Sequence, residues 1–530
     1  MISLPSIRRA AALFVCVAAF LAAASVQGST LRRGIGGEPG TLDPQLIGGV
    51  WESIVVEDLF VGLTTNDAKG DAIPGVAESW TVSPDGTRYS FKIRPGITWS
   101  DGTPVTAEDA VFGLQRALDP ATASQMAQLL YIIKNGAEIN AGKMPVDKLG
   151  VSAPDDHTVV IDLVSPAPYF LDLLANPVAY PVPKRMIEKY GKDWIKPGNA
   201  VSDGPYKLVD WVPQSHIEAV KNPKFYDAKS VDIDKVLYYT LEDSAAALQR
   251  FRAGEFDITY GAPLDQLDWL KKNMADEIHL TPSLSMFYIA FNMTKPPFND
   301  KRVRLALSML IEREIITDKI LKTGSKPAYG LVPPGIKNYG EPVKASFASM
   351  SPADRLKKAR ELLKEAGYGP DHPLHVTLRY NTGANAKKLV TATAAMWKRA
   401  GVETDLLNAD VTIHYAALRQ GDFQAALAGW IADYDDPQDF LLLFQDHTGS
   451  LNYSHYNSPK FEALMQEATD TVDIKKRAAL MRQAEVTMIS DVPIAPVWYS
   501  VNLSLVSTAV KGWVDNLQYI HPTRFLTLQR

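Results

Sequence analysis

The alternation of hydrophobic and polar positions is clearest between residues 77 and 118. Apolar side chains at every second position of residues 89–93 follow the Asp85-Gly86 turn pair and predict a strand with one buried face, with a second strand expected nearby. Pro95-Gly96 ends this strand. From Thr106, an expected N-cap, the period lengthens to that of an amphipathic helix with acidic residues in its first turn.

The pattern changes along the rest of the chain. Residues 30–237 contain short alternating runs separated by Pro, Gly, Asp and Asn, which predicts mainly strands with a few helices. After about residue 299, longer helical patterns alternate with β-like runs, which indicates an α/β arrangement. The helices are expected over residues 302–322, 352–366, 384–400 and from Pro459, and the strands over 374–380, 402–407 and 492–506.

The amino terminus is typical of a secretory signal peptide. Arg8 and Arg9 precede an apolar run over residues 10–24 that is too short to span a bilayer, and small residues follow up to Gly28. The alternative, a buried amino-terminal helix of a cytosolic protein, is disfavoured because the run has no polar face. We therefore predict that residues 1–28 form a cleaved signal peptide.

The single cysteine, Cys16, lies inside this apolar run, which is the wrong context for a lipidated cysteine. Its removal would leave a mature protein with no disulfide, no cysteine nucleophile and no thiolate metal ligand. These features favour a protein that diffuses freely in the periplasm over a tethered lipoprotein.

Charge and length narrow the function further. The chain carries 55 basic and 60 acidic residues, a formal net charge of −5, and loss of Arg8 and Arg9 makes it more acidic. No basic patch favours nucleic acid or an anionic membrane as a partner. At 530 residues the chain is too long for one hydrophobic core, so we expect two or three domains.

Residues 77–118 closely resemble the signature of the family 5 extracytoplasmic solute-binding proteins, which deliver peptides, nickel and related cargo to ABC importers. The resemblance covers essentially the whole mature chain and is closest to the members that bind oligopeptides. Further matches occur in a shared order: Leu42-Asp43-Pro44, Ser202-Asp203-Gly204-Pro205-Tyr206, Pro297-Phe298-Asn299-Asp300 with Arg302-Val303-Arg304, Tyr380-Asn381-Thr382, and Gly429-Trp430-Ile431-Ala432-Asp433-Tyr434.

The resemblance implies an α/β fold of the two-lobed, clamshell type, with an additional domain and mixed sheets flanked by helices. By this resemblance, lobe one comprises residues 29–60, 185–284 and 501–530, the additional domain 61–184, and lobe two 285–500. The chain would cross between the lobes near residues 284 and 500, which predicts a hinge at these positions.

The family's peptide site maps onto the Gly-Trp-x-x-Asp motif. The resemblance implies that Asp433 binds the ligand's α-ammonium, that Trp430 lies beside the ligand, and that Gly429 and Ile431 pair with the peptide backbone as with an added strand. An ionised ammonium taken out of water needs such an opposite charge. The alternative is that Asp433 and the two aspartates that follow Tyr434 form a solvated turn.

Other site assignments are carried over individually. Tyr260 matches a tyrosine at the cleft, and Val50 matches a backbone contact to the ligand, although each could instead be a core residue. Ser500 falls at the second crossing between lobes, where the family often has a tyrosine.

The carboxylate end of the site departs from the family pattern. Leu427 and Ala386 stand where oligopeptide generalists carry Arg and His, and Val411 and Leu418 replace a Trp and an Arg. Either Arg419, which is close in sequence along with His414, substitutes for these partners, or the ligand differs in length or lacks a free carboxylate there. The sequence alone leaves both alternatives open.

No motif indicates an enzyme, a cofactor or a metal site. HExxH, GxSxG and Ser-x-x-Lys sets are missing, and His372 and His375 flank a proline without a third ligand, which favours a loop. The first hypothesis is a monomeric periplasmic binding protein that captures peptides for an inner-membrane ABC permease and its ATPase subunits. The second is the same fold specialised for a cell-wall peptide, an opine-like compound or a metal chelate, and the third is a secreted hydrolase.

Overall fold

The computed structural model describes residues 28–530. The predicted signal peptide therefore lies outside the described residues except for Gly28, and so does Cys16. Within residues 28–530, no helix is both long and apolar enough to cross a membrane.

The strands are numbered in chain order. They are β1 (Thr30–Ile35), β2 (Thr64–Asn66), β3 (Ala72–Pro74), β4 (Ala77–Val82), β5 (Arg88–Ile93), β6 (Val151–Asp155), β7 (Thr158–Asp162), β8 (Tyr206–Val212), β9 (His216–Lys221), β10 (Lys235–Thr240), β11 (Ile258–Tyr260), β12 (Ile278–Phe291), β13 (Lys326–Pro327), β14 (Leu374–Asn381), β15 (Val402–Ala409), β16 (Ala425–Ile431), β17 (Ile494–Val506), β18 (Val510–Lys511) and β19 (Thr527–Leu528).

The α-helices are numbered in the same way. They are α1 (Val50–Leu59), α2 (Ala107–Leu118), α3 (Gly136–Asn140), α4 (Phe170–Leu174), α5 (Lys184–Tyr190), α6 (Ser244–Arg252), α7 (Leu267–Asn273), α8 (Lys301–Leu310), α9 (Arg313–Ile315), α10 (Pro352–Glu365), α11 (Ala384–Lys398), α12 (Val411–Arg419), α13 (Gln438–Leu441), α14 (Pro459–Thr469) and α15 (Ile474–Asp491).

The signature segment folds as the sequence predicts. Strands β4 and β5 form an antiparallel pair, and Gly86 in the turn between them has a φ of 71°, a conformation that favours glycine. Thr106 caps α2, and the carboxylate of Asp109 accepts the Thr106 backbone N–H at 2.9 Å. The four-stranded sheet β4-β5-β7-β6 lies against this helix.

One large sheet runs through the molecule in the order β15-β14-β16-β12-β17-β11-β1-β10-β9-β8. Its longest strands, β12 and β17, pair antiparallel and carry the chain from the strands of predicted lobe one to those of predicted lobe two. Their register shifts between Pro282 and Met286, where three residues of β12, 283–285, stand opposite a single residue of β17, Ser500. Such an irregularity loosens the ladder locally.

Both faces of the sheet are covered in the region of residues 285–500. Ile289 and Phe291 of β12 belong to one buried cluster, whereas Met286 and Tyr288 belong to another. Alternate residues of a strand point to opposite faces, so helices pack on both sides of this part of the sheet.

The helix predicted over residues 302–322 is wrong in its continuity. The structure has α8, a break at Ile311, the single turn α9, and a π-helical turn at Ile316–Leu321. The buried guanidinium of Arg313 donates to the carbonyls of Ser308 and Ile311 at 3.0 Å each, and it thereby satisfies carbonyls that a continuous helix would use itself.

Candidate functional site

A cavity of about 950 Å³ opens between the two halves of the large sheet. One side is formed by residues between 243 and 265 together with residues 501 and 503, and the other by residues between 381 and 388 and residues 427–428. The cavity therefore lies between segments predicted to belong to different lobes. Its volume is in the range of small-molecule and peptide sites.

An aromatic pair and Ser500 line the cavity where β12 and β17 pair in the large sheet. The rings of Phe287 and Trp498 are stacked, with centroids 4.4 Å apart and planes 5° from parallel. Ser500 also lines the cavity, opposite the register shift in β12. The structure thus places Ser500 on β17 in the cavity wall, and a crossing between lobes at this position stays a prediction.

Strand β16 has one open edge. Along its whole length it pairs with β12, whereas β14 pairs only with Ala425 and Ala426. The Ala432 N–H donates to the carbonyl of Leu284 in β12. The Leu427 carbonyl points away from β12 and accepts a hydrogen bond from the His414 side chain. Since successive residues of a strand alternate in the side that their backbone groups face, Gly429 and Ile431 direct theirs away from β12, along with Leu427.

Gly429 has a steric reason to be glycine. A Cβ at this position would lie 2.4 Å from Cδ1 of Phe287, which is far closer than two carbons can approach. Because Phe287 also stacks on Trp498, its ring has little room to move aside. The position of the Phe287–Trp498 pair therefore requires glycine at position 429 of β16.

Asp433 follows this open edge and is mostly buried. Burial raises the pKa of its carboxyl to about 6. Within residues 28–530, no basic side chain forms an ion pair with it. A buried carboxylate without a counter-ion is costly when ionised, and a ligand cation would relieve that cost.

Asp439, which no sequence motif singled out, contacts both Trp430 and Asp433. Its Oδ2 accepts the indole N–H of Trp430 at 2.9 Å and the backbone N–H of Asp433 at 3.1 Å. Burial, followed by the charge of Asp433, raises the pKa of Asp439 well above the usual range. Asp439 thus fixes the positions of both Trp430 and Asp433.

The turn after Asp433 is not solvated, so the alternative interpretation of this acidic run is wrong for its last two members. Asp436 forms a two-point ion pair with Arg477, with distances of 2.6 and 2.8 Å. Asp435 accepts the backbone N–H of Lys337 at 3.0 Å. Both side chains are buried because the turn packs against other elements.

Tyr260 ends β11 close to the cavity wall, two residues before Ala262 in the lining. Its hydroxyl accepts a hydrogen bond from the buried guanidinium of Arg33, and its ring packs edge-on against Tyr519. Burial raises the pKa of Tyr260. The structure therefore places it in a packed cluster beside the cleft, and its contact with a ligand stays a prediction.

Val50 begins α1 and is 58% exposed. The loop before it is fastened by Glu52, whose carboxylate accepts the backbone N–H groups of Gly40, Gly48 and Gly49 at 2.8–2.9 Å. Val50 is thus presented on a fixed loop, apart from the residues that line the cavity, and its role stays a prediction.

Arg419 ends α12, is exposed, and lies beside Tyr453 rather than in the cavity lining. His414 of the same helix is buried, and its Nε2–H donates to the carbonyl of Leu427 at 2.9 Å. Burial lowers the pKa of His414, so the imidazole is neutral and fastens α12 to β16. Substitution of Arg419 for the missing carboxylate partners stays a prediction.

The family described as bacterial extracellular solute-binding proteins, family 5 (middle region), matches residues 71–452. This chain belongs to that family. The periplasmic oligopeptide-binding protein OppA of Escherichia coli (strain K12) is 41% identical over 488 residues, which cover 91% of this chain and 89% of OppA. The periplasmic murein peptide-binding protein MppA of the same strain is 38% identical over 490 residues, covering 92% and 90%.

A solved structure extends the comparison to the fold. The unliganded open form of the murein tripeptide-binding protein MppA superimposes with a TM-score of 0.83 at 37% identity, and covers 95% of this chain and 98% of that one. The expected fold is therefore confirmed: this family 5 protein is a two-lobed α/β protein with mixed sheets and flanking helices.

Proposed function

We propose that this protein is the periplasmic binding component of an ABC importer, and that it captures peptides between its two lobes and delivers them to a membrane permease with its ATPase subunits. The observation that carries the proposal is the open edge of β16, which begins at the cavity and leads to the mostly buried carboxylate of Asp433. OppA and MppA, the relatives described above, carry peptide binding in their names.

The open edge suits the main chain of a peptide. The backbone groups of Gly429 and Ile431 can pair with an extended ligand as with an added strand, which requires no particular side chains. We propose that a peptide held in this way has its amino terminus near Ile431, the last residue of β16. Asp433 follows two residues later and supplies the opposite charge that a buried ammonium needs.

The role proposed here is binding without chemistry. The cavity lining contains serine and threonine hydroxyls, but among the described residues none of them is hydrogen-bonded to a histidine, lysine or carboxylate that would activate it as a nucleophile. We also propose that residues 1–28 direct export, that the hinge lies near residues 284 and 500, and that the mature protein works as a monomer in the periplasm.

A second candidate keeps the fold and changes the cargo. Leu427 and Ala386, which replace the polar partners of the generalists, both line the cavity and contribute apolar side chains to its wall. A cell-wall peptide, an opine-like compound or a metal chelate would suit such a wall if its charges lay elsewhere.

Native mass spectrometry of protein purified without denaturation tests the proposal. A ladder of peptide masses would support oligopeptide capture, and one defined adduct would support the specialised cargo. Calorimetry with unmodified tripeptides and longer peptides then measures affinity. An absence of binding by every peptide, cell-wall peptides included, would contradict the peptide proposal.

A further inference from the structure

The cavity lining holds one positively charged side chain among the described residues, that of Lys388. Lys388 lies near the start of α11, two residues after Ala386, and its side chain is exposed. Within residues 28–530, its ammonium forms neither an ion pair nor a hydrogen bond. A lysine without a partner, in the wall of a ligand cavity, is therefore available to an anionic group of the ligand.

The surroundings of Lys388 strengthen this inference. Gly383, Asn385 and Ala386 of the same helical start also line the cavity, and no side chain caps the first turn of α11. The amino-terminal end of a helix carries a partial positive charge that favours anions. The helix end and the lysine therefore act in the same direction on a group that enters the cavity.

The acidic side chains of the cavity lie on the opposite wall. Asp243 is engaged as the N-cap of α6, where its Oδ1 accepts the backbone N–H of Ala246 at 2.7 Å. Asp265 is exposed and is the other acidic residue of the lining. The cavity is thus asymmetric in charge, with its cation on the wall of predicted lobe two and its acids on that of predicted lobe one.

We propose that Lys388 binds the carboxylate of the captured peptide and so selects ligands with a free carboxy terminus. The inference rests on the proposed function, because it assigns the second charged end of the same peptide. A peptide carboxylate that enters a cavity needs a cation or several hydrogen-bond donors to replace its water. Lys388 supplies the charge, whereas Arg419 lies outside the lining.

The flexible stem of lysine fits this role. Four methylene groups carry an ammonium with three donors, so Lys388 can follow carboxylates at slightly different positions without a fixed fork geometry. A rigid arginine fork fixes one position instead. We therefore expect selection for a free carboxylate over a range of peptide lengths.

The test compares Lys388→Met with Lys387→Met, a matched control. Lys387 is its neighbour on the same helix and is also exposed, but it is not part of the cavity lining. The probes are unmodified peptides of three to six residues and their carboxy-amidated counterparts, and calorimetry measures both affinities for each variant. Lys388→Arg serves as the conservative replacement, and thermal unfolding verifies that every variant is folded.

The unaltered protein should prefer the free acid over the amide by roughly tenfold, as expected for a hydrogen-bonded ion pair. Lys388→Met should remove this preference while the affinity for the amide stays constant, and Lys387→Met and Lys388→Arg should keep it. An equal preference in Lys388→Met, or no preference in the unaltered protein, would overturn the assignment while peptide binding itself stands. Failure of the unaltered protein to bind any of these peptides would overturn the proposed function as well.

Discussion

Trp430 and Asp439 are joined by a hydrogen bond of 2.9 Å from the indole Nε1 to the carboxylate Oδ2. The same oxygen accepts the backbone N–H of Asp433. One buried carboxylate thereby holds the aromatic ring and the proposed ammonium anchor in a fixed relation. The site depends on this support as much as on the residues that would touch a ligand.

We predict that Asp439→Ala weakens peptide binding although Asp439 need not contact the ligand. The substitution leaves the partly buried Trp430 N–H and Asp433 N–H without their acceptor, which costs up to about 1 kcal/mol of unfolding free energy for each group. Thermal unfolding and the tryptophan fluorescence of the empty protein should both change. Asp446→Ala, at an exposed position outside the motif, is the control. Unchanged affinity in Asp439→Ala would show that Trp430 and Asp433 need no such support.

Peptide affinity should fall on acidification because burial raises the pKa of Asp433 to about 6. This value lies above the 3.8 of an exposed aspartate, so the empty protein favours the protonated group, and its contribution to stability is lost as pH rises through about 6. Binding works in the opposite sense, since the ammonium requires the ionised carboxylate. Below pH 6, affinity should therefore decrease by up to roughly tenfold per pH unit.

Calorimetry at several pH values measures this dependence. Buffers of different ionisation enthalpy would also reveal the proton that Asp433 releases on binding. Asp433→Asn should lack this component of the pH dependence. An affinity that stays constant from about pH 7 down to about pH 5, about two units across the expected transition, would argue against an ammonium bound by Asp433.

Lys337 connects predicted lobe two with the predicted additional domain. Its ammonium lies 3.1 Å from Oδ1 of Asp71 and 3.5 Å from Oδ1 of Asp172. Nearby, Tyr434 stacks on Tyr169 with a centroid distance of 4.4 Å. These contacts join the turn that carries Asp433 to the predicted additional domain.

Lys337→Met should lower the melting temperature. It should also weaken peptide binding, by about 1 kcal/mol or less, because the ion pairs of Lys337 are partly exposed. High salt should reduce the difference from the unaltered protein. Lys344→Met, at an exposed lysine of the same region, is the control. Identical melting temperature and affinity in Lys337→Met and the control would show that these ion pairs do not hold the two parts together.

The register shift in β12 opposite Ser500 suits a hinge, because residues 283–285 do not pair regularly with β17. We predict that peptide binding closes the lobes about this point. Small-angle scattering should show a smaller radius of gyration at saturating ligand, after bound peptide has first been removed. An unchanged radius in ligand-free and saturated samples would contradict closure.

Local sequence signals predicted much of the fold. The alternation in residues 89–93, the cap at Thr106 and the Ser458-Pro459 start of α14 each have a cause within a few residues, and each element forms as expected. The break at Ile311 was not predictable because it depends on Arg313, whose buried side chain also donates to the carbonyls of Ala328 and Pro496. Contacts of this kind are not visible in a periodic pattern.

The candidate site divides in the same way. The family motif predicts the roles of Gly429, Trp430 and Asp433, and the alternation along β16 supports the backbone role predicted for Gly429. Asp439 follows Pro437 at the start of α13, where an aspartate is typical of any helix start, so no sequence signal indicates its hydrogen bond to Trp430. Lys388 was also missed, because only the folded chain shows which side of α11 lines the cavity.

Binding of the peptide ammonium by Asp433 is tested most directly by the affinities for ligands with and without a free amino group. Calorimetry should compare the unaltered protein and Asp433→Asn, each with a free-amine peptide and its amino-acetylated form. We expect Asp433→Asn to lose about 3 to 5 kcal/mol of affinity for the free-amine peptide and little for the acetylated peptide, while the empty protein remains as stable. Equal affinities of the two proteins for the free-amine peptide would contradict this role of Asp433.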